Sequence, residues 1–157
     1  MAKQPKPWTP NQERFGTFVT RVMSGINTWM LRRSKGRWGK TLVGTGGAPV
    51  CLLTTTGVKT GQPRTIALLY LRDGDDIVIV ASKGGMSSNP QWYGNLVAQP
   101  KVTVEIDGEQ QAMTARTATA EEKARLWPML VDMYKGYADY QARTDRQIPV
   151  IICSRTN

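Results

Sequence analysis

The sequence predicts an α+β fold, mainly β: a six-stranded antiparallel barrel with surrounding helices and an amphipathic helix ahead of it. Three observations carry that reading. Six short runs rich in aliphatic and β-branched residues are spaced like strands: Val50 to Thr56, Thr65 to Leu71, Ile77 to Ala81, Val102 to Ile106, Gln111 to Thr117 and Ile148 to Cys153. Arg72-Asp73-Gly74-Asp75-Asp76 and Asp107-Gly108 are hairpin signals, and hairpins pair consecutive strands antiparallel. The length of 157 residues fits one domain, which at that size buries a core without disulfide or metal staples.

Taken in order, the first element is a helix. Thr9 is placed to cap it, Pro10 suits the first helical position and Gln12 completes a capping box. Phe15, Phe18, Val19, Val22, Met23, Ile26 and Met30 then fall on one helical face. Gly36 is its expected stop. Arg32, Arg33, Lys35, Arg37 and Lys40 cluster there beside Trp29 and Trp38. The apolar stripe has two readings, packing on the domain or lying on an anionic membrane surface with the tryptophans at the interface. Gly44-Thr45-Gly46-Gly47 joins this segment to the barrel, giving a basic helical segment, 1–40, and a barrel, 41–157.

Three more helices interrupt the strands. Asn89-Pro90 opens one that Pro100 ends. Thr119-Ala120-Glu121-Glu122 is a capping box opening the next, which Pro128 should kink or split. A short third holds Tyr134, Tyr137 and Tyr140 at steps of three. Pro149 marks the last strand as an edge or a strand start.

Composition narrows the chemistry. The chain has no histidine, which excludes Ser-His-Asp and Cys-His machinery and histidine metal sites. Cys51 and Cys153 each sit in an apolar run and form no CxxC pair, so they read as reduced core residues of a cytosolic protein. No acidic pair or metal-ligand cluster is apparent. Residues 1–40 hold nine Lys and Arg against one acid, Glu13, while the remainder holds twelve against eleven. The basic load therefore sits on the N-terminal segment. No helix-turn-helix, zinc finger or RNA-binding aromatic signature accompanies it, so nucleic acid is not the expected partner. No apolar run is long enough to span a bilayer, and Met1 to Pro10 lacks the features of a signal peptide.

Two glycine-bearing loops leave strands. Thr54-Thr55-Thr56-Gly57-Val58-Lys59-Thr60-Gly61-Gln62-Pro63-Arg64 combines backbone turns, hydroxyls and two cations, which suits an anion or, more plainly, makes a polar hairpin. It lacks the GxxxxGK[ST] spacing of a phosphate loop. Ala81-Ser82-Lys83-Gly84-Gly85 leads into Asn89-Pro90-Gln91-Trp92-Tyr93, where a helix N-terminus offers free N–H groups. Trp92 and Tyr93 either wall a flat ligand or sit in the core. The tyrosines either pack or line a pocket. Anion-friendly loops, aromatic walls and no acid–base kit fit a protein whose cofactor carries the reaction.

LLTTTGVKTGQPR, VASKGGMSSNPQWYGNL and MYKGYADYQARTDRQIPVIIC, with INTWMLRR upstream, match in order and spacing. They resemble the deazaflavin-dependent nitroreductase family of actinobacteria, and within it the membrane-associated quinone reductase branch. That resemblance implies the split β-barrel of the FMN-binding flavin reductases. It also implies coenzyme F420, an 8-hydroxy-5-deazaflavin with an anionic phosphate and polyglutamate tail. By the family's pattern Val58, Lys59, Thr60 and Arg64 hold the phosphate side. Val80, Ala81, Ser82 and Lys83 run along the ring and ribityl chain, while Gln91, Trp92, Tyr93 and Asn95 cap phosphate and ring. Tyr137 faces ring and acceptor, and Tyr137 and Ser82 are the implied catalytic residues. Many relatives carry arginine where this chain has Val58, and an aromatic where it has Leu69 beside Tyr70.

The implied activity is hydride transfer from reduced F420 to a menaquinone-like quinone or a nitroaromatic. A quinone acceptor gives residues 9–40 a purpose, peripheral attachment to the inner face of the cell membrane, and a homo-oligomer is compatible with the sequence. Two alternatives remain open at the level of sequence. One is the same barrel holding FMN as a flavin reductase. The other is a non-enzymatic basic module for membrane or nucleic-acid surfaces.

Overall fold

The structure, a computed structural model, describes residues 5–17, 29, 33 and 45–156. Most of the expected N-terminal stripe, the stop at Gly36 and the basic cluster apart from Arg33 lie outside the described residues. What is described of the first helix, α1, is residues 10–17. Its capping box forms as expected: the Thr9 N–H donates to Gln12 Oε1 at 3.0 Å, and the Gln12 N–H donates to Thr9 Oγ1 at 3.4 Å.

Among the described residues seven strands make one antiparallel sheet: β1 Val50–Thr56, β2 Pro63–Leu69, β3 Leu71–Asp73, β4 Asp76–Val80, β5 Lys101–Ile106, β6 Glu109–Thr117 and β7 Val150–Arg155. The sheet order is β2-β1-β5-β6-β7-β4-β3. The expected count of six is therefore corrected to seven, and the reason is local. β2 pairs with β1 until Val50 meets Leu69. The Tyr70 N–H then bonds to the carbonyl of Pro49 at 3.1 Å, and the chain switches partner to β4. Two opposite edges of the sheet are thus one run of chain separated by a single residue, so the sheet has to curl toward closure.

Both expected hairpins form. Gly74, with φ of 62°, takes the first central position between Asp73 and Asp76. Asp107 and Gly108 both have positive φ between Ile106 and Glu109, as a two-residue turn matching strand twist requires. Pro149 precedes a central strand, so it marks a strand start rather than an edge.

Helix α2, Gln91–Ala98, begins directly after Asn89-Pro90, and α3, Ala120–Met133, begins where its Thr119 cap places it. Thr119 and Glu122 exchange both capping-box bonds. The expected split at Pro128 does not occur: α3 runs on to Met133. Leu126 and Leu130, fully buried on either side of the proline, anchor both halves to the sheet. A short helix α4, Gly136–Ala142, follows.

The sheet is apolar on both faces, which is why β1 reads as a continuous apolar run instead of an alternating one. Val50, Leu52, Val78, Val80, Ile148 and Ile152 meet Leu126, Leu130 and Tyr137 of α3 and α4. Cys51, Leu53, Ile79, Val104, Met113 and Ile151 meet Trp92 and Leu96 of α2. Each such side chain contributes roughly 1.5–3 kcal/mol by leaving water. Cys51 and Cys153 are free and buried, as expected, and burial pushes the Cys153 thiol up to about 12.

Candidate functional site

Both glycine-bearing loops meet at α2. The first spans the β1–β2 hairpin. The Gly57 N–H donates to the Gln62 carbonyl at 2.9 Å and the Gly61 N–H to the Gly57 carbonyl at 2.8 Å, closing a tight loop. A side chain at Gly57 would come within 3.1 Å of Thr60 Oγ1 and 3.2 Å of that Gln62 oxygen, a tight fit that the loop would have to ease by a few tenths of an ångström. Thr60 Oγ1 accepts from the Gln62 N–H at 3.3 Å and from Arg64 Nη2 at 3.5 Å. Val58, Lys59, Thr60 and Arg64 all point to solvent.

Asn95 pins this loop to α2. Its Nδ2 donates to Thr55 Oγ1 at 3.2 Å, and its Oδ1 accepts from the Val58 N–H at 3.2 Å. Both ends of the amide are thus engaged on the chain itself. In this geometry Asn95 places the loop that bears Lys59 and Arg64.

The second loop leaves β4. Val80 and Ala81 are buried, in the α3–α4 and α2 faces respectively. Ser82 is right-handed, at φ −74° and ψ −39°. Lys83, Gly84 and Gly85 then take φ of 44°, 63° and 76°. A right-handed residue followed by left-handed ones turns successive N–H groups into one concavity, a geometry that binds anions. Lys83 is not glycine, so its conformation is held by its surroundings. Its Nζ donates to Ser88 Oγ at 2.8 Å.

Those surroundings include three residues to which sequence reasoning gave no role here. Arg146, on the strap between α4 and β7, spends its guanidinium on this loop. Nε donates to the Met86 carbonyl at 2.8 Å, Nη1 to Asn89 Oδ1 at 2.7 Å and Nη2 to the Ser82 carbonyl at 2.7 Å. Both Nη atoms also reach the Ala81 carbonyl at 3.3 Å. Glu13 of α1 holds the loop's outer side, accepting from the Ser87 N–H at 2.7 Å and from Ser87 Oγ at 2.9 Å. Trp8 Nε1 donates to the Gly84 carbonyl at 2.9 Å, and the Trp8 ring lies 5.0 Å from the Arg143 guanidinium. Nothing periodic flags Arg146. Glu13 carried a signal, as the one acid among the first forty residues.

The Glu13 contact is pH-dependent. The Ser87 N–H, then the Ser87 hydroxyl, then the charges of Lys83 and Arg146 hold its carboxyl below the ordinary range. A carboxyl lowered on folding stabilises the contact above its unfolded pKa, and that stabilisation is lost as pH falls through the folded value. The Ser87 amide should therefore be protected from hydrogen exchange at neutral pH and lose protection in acid. In Glu13→Gln, protection at neutral pH should already be reduced and show no acid step.

On α2, Gln91 is exposed in the first turn, and Trp92 is buried in the core against the sheet. Tyr93 sends its hydroxyl to Thr117 Oγ1 at 3.0 Å. What this segment can offer a ligand is therefore its backbone and Gln91, with the Trp92 ring packed in the core. Tyr137 is 4% exposed. It stands edge-on to Tyr134 at 5.1 Å between ring centroids, and its hydroxyl bonds to no described residue. Burial first, then Tyr134 and Tyr140, push its pKa up, so it stays a neutral donor. Tyr134 and Tyr140 share a hydroxyl–hydroxyl bond of 2.9 Å. The Tyr140 backbone packs directly on Gly85, which brings the tyrosines to the second loop. At the departures from the family pattern, Leu69 is buried toward α3 and α4, and Tyr70 packs toward the α2 face.

Among the described residues, Lys59, Arg64 and Lys83 have no carboxylate partner. The described residues also hold no cluster suited to a metal. Unpaired cations, an N–H concavity and a helix N-terminus make a donor set for an anion.

The comparisons agree with that chemistry. The family model for F420H(2)-dependent quinone reductase matches residues 23–155. An F420H(2)-dependent quinone reductase of Mycobacterium tuberculosis (strain ATCC 25618 / H37Rv) is 42% identical over 127 residues, covering 79% of this chain and 84% of that protein. A solved F420-H2 dependent reductase, FDR-A, is 40% identical with a TM-score of 0.63, over 68% of this chain and 94% of its own. A second solved structure, described as a domain-swapped dimer, is 36% identical with a TM-score of 0.64, over 81% and 98%. The curled antiparallel sheet is thus split-barrel-like, and the readings as an FMN enzyme or a non-enzymatic module give way to an oxidoreductase. Along most of its length the chain belongs to the F420H(2)-dependent quinone reductase family, whose cofactor is coenzyme F420.

Proposed function

We propose that this chain reduces a menaquinone-like quinone, and nitroaromatics as adventitious acceptors, at the inner surface of the cell membrane. The observation that carries the reading is the meeting of two cationic loops at α2. Lys59 and Arg64, on the hairpin that Asn95 pins, would hold the phosphate and acidic tail of F420. The N–H groups of Ser82 and Lys83, with Gln91 and the first turn of α2, would hold the phosphate and ribityl side. Val80, Ala81 and Trp92 would support this wall from within the core. Bound there, reduced F420 supplies a hydride from its ring C5.

The acceptor takes that hydride and a proton to become a quinol, so a proton donor is needed beside it. Tyr137 suits the task, because burial keeps its hydroxyl protonated and a neutral phenol donates where negative charge develops. Ser82 would add a hydroxyl next to the ring. Membrane attachment through residues 9–40 is supported by the first stripe residue, Phe15, which is 70% exposed, and by Trp29, which is 63% exposed. Arg33 lies 5.9 Å from the Trp29 ring, pairing a cation with an aromatic as an interface favours. No helix among the described residues is long and apolar enough to cross a membrane. Self-association is part of the same proposal.

Anaerobic oxidation of reduced F420 tests this against menaquinone analogues, nitroimidazoles and enones, free and in anionic vesicles. The quinones should be the best acceptors, and reduced FMN should not substitute for reduced F420. Phe15→Ser should slow only the vesicle-embedded quinone. Tyr137→Phe keeps the ring and removes the hydroxyl. Turnover should fall about 10-fold if water takes over the donor's role, with F420 affinity nearly unchanged. Wild-type turnover of every acceptor by Tyr137→Phe would leave that residue as a wall only.

A further inference from the structure

We infer that Arg146 is a positioning residue for the coenzyme, acting through the backbone of Ala81, Ser82 and Lys83 and touching no ligand itself. The inference rests on the F420 reading above and adds a residue to it. No peptide bond in the described chain is cis, and in a trans peptide the carbonyl and the N–H point in opposite directions. Arg146 takes the carbonyl of Ala81 through both Nη atoms and the carbonyl of Ser82 through Nη2. The two peptides that carry those oxygens also carry the N–H groups of Ser82 and Lys83. Drawing both oxygens to the guanidinium therefore turns both N–H groups away from it, toward the opposite side of the loop. Neither N–H finds an acceptor among the described residues. They are the donors of the concavity, left for a ligand.

The remaining Arg146 bonds lock the loop at its far end, at the Met86 carbonyl and Asn89 Oδ1. Asn89 is two residues before α2, so one guanidinium spans the loop from the end of β4 to the helix start. Only a planar fork with five N–H donors can hold four acceptors in this way, and an ammonium cannot. Among the described residues no carboxylate lies within ion-pair distance of Arg146. Glu13, bonded to Ser87 of the same loop, acts on its charge through space. Lys83 can hold its left-handed φ of 44° because the carbonyls on either side of the turn are fixed.

The test uses the full chain as wild type, Arg146→Lys and Arg146→Ala. Three quantities are read: F420 affinity by titration, hydrogen exchange of the Ser82 and Lys83 amides without coenzyme, and the split between KM and kcat for reduced F420. Arg146→Ala should weaken F420 about 30- to 100-fold, raise KM in step and leave kcat within about 3-fold. Amide exchange at Ser82 and Lys83 should change in the coenzyme-free protein, and low-millimolar guanidinium ion should restore part of the affinity. Arg146→Lys keeps the charge and loses the fork, so it should bind nearly as weakly as the alanine variant. Should Arg146→Ala fail to fold, Arg146→Lys decides alone. Wild-type affinity in Arg146→Lys, or weakened binding with unchanged amide exchange, would overturn the inference, since charge alone would then suffice. Failure of the wild-type chain to bind F420 would instead remove the proposed function, while the exchange data would still report whether Arg146 sets the loop.

Discussion

Replacing Lys59, Arg64 and Lys83 together by alanine is expected to weaken F420 binding by about 1,000-fold or more. Each charge-assisted contact contributes about 1.5–3 kcal/mol, or roughly 10- to 100-fold for a single substitution. The three sit on two loops, Lys59 and Arg64 exposed and Lys83 half-buried, so their effects should fall short of strict additivity, and salt should weaken the wild-type complex. None has a carboxylate within ion-pair distance among the described residues, and Glu13, on which the Lys83 charge acts, keeps both its bonds to Ser87, so the melting temperature should hardly move. Titration with F420 at two ionic strengths, beside a thermal melt, checks both halves. Unchanged affinity in the triple variant at low salt would sink the assignment of the two loops.

Gly85→Ala should be the most damaging single methyl in the site. Its Cβ would lie 2.5 Å from the Tyr140 carbonyl oxygen and 2.9 Å from the Tyr140 Cα, backbone atoms that cannot step aside alone. Gly85 also has φ of 76°, where a side chain adds strain. Overpacking costs about 1–3 kcal/mol and the left-handed backbone about 1 kcal/mol more, so a loss of roughly 2–4 kcal/mol is expected. Gly84→Ala is the control: its φ is 63°, but a Cβ there meets nothing within 4 Å. It should cost only about 1 kcal/mol, the backbone part. Equal melting temperatures for the two variants would show that the loop does not pack on α4 as described.

Much of this arrangement is legible in the chain because it is local. The Thr9–Gln12 and Thr119–Glu122 capping boxes, the Asp107-Gly108 turn and the bounds of β1 each follow from neighbours within a few residues. The misreadings share a cause. At Tyr70 the chain exchanges one strand partner for another, and an uninterrupted apolar run does not report which strand it pairs with. At Pro128 tertiary packing of Leu126 and Leu130 overrides the helix-breaking tendency of proline. The candidate loops were visible from glycines and cations, but what holds them was not. Arg146 lies 57 to 65 positions from the groups it binds, and side-chain bonds to carbonyls leave no periodic trace. Asn95 entered only through the family's pattern, as a cap on phosphate and ring, and the geometry shows that its amide is spent on Thr55 and Val58.

Backbone amide exchange of the full-length protein with and without F420 reads out directly where the coenzyme sits. New protection is expected at Ser82 and Lys83, in the first turn of α2 from Gln91, and in the hairpin around Lys59 and Thr60. The sheet amides of β5 and β6 should be unchanged. Protection confined to α1, or spread over the sheet with none at these loops, would contradict that placement.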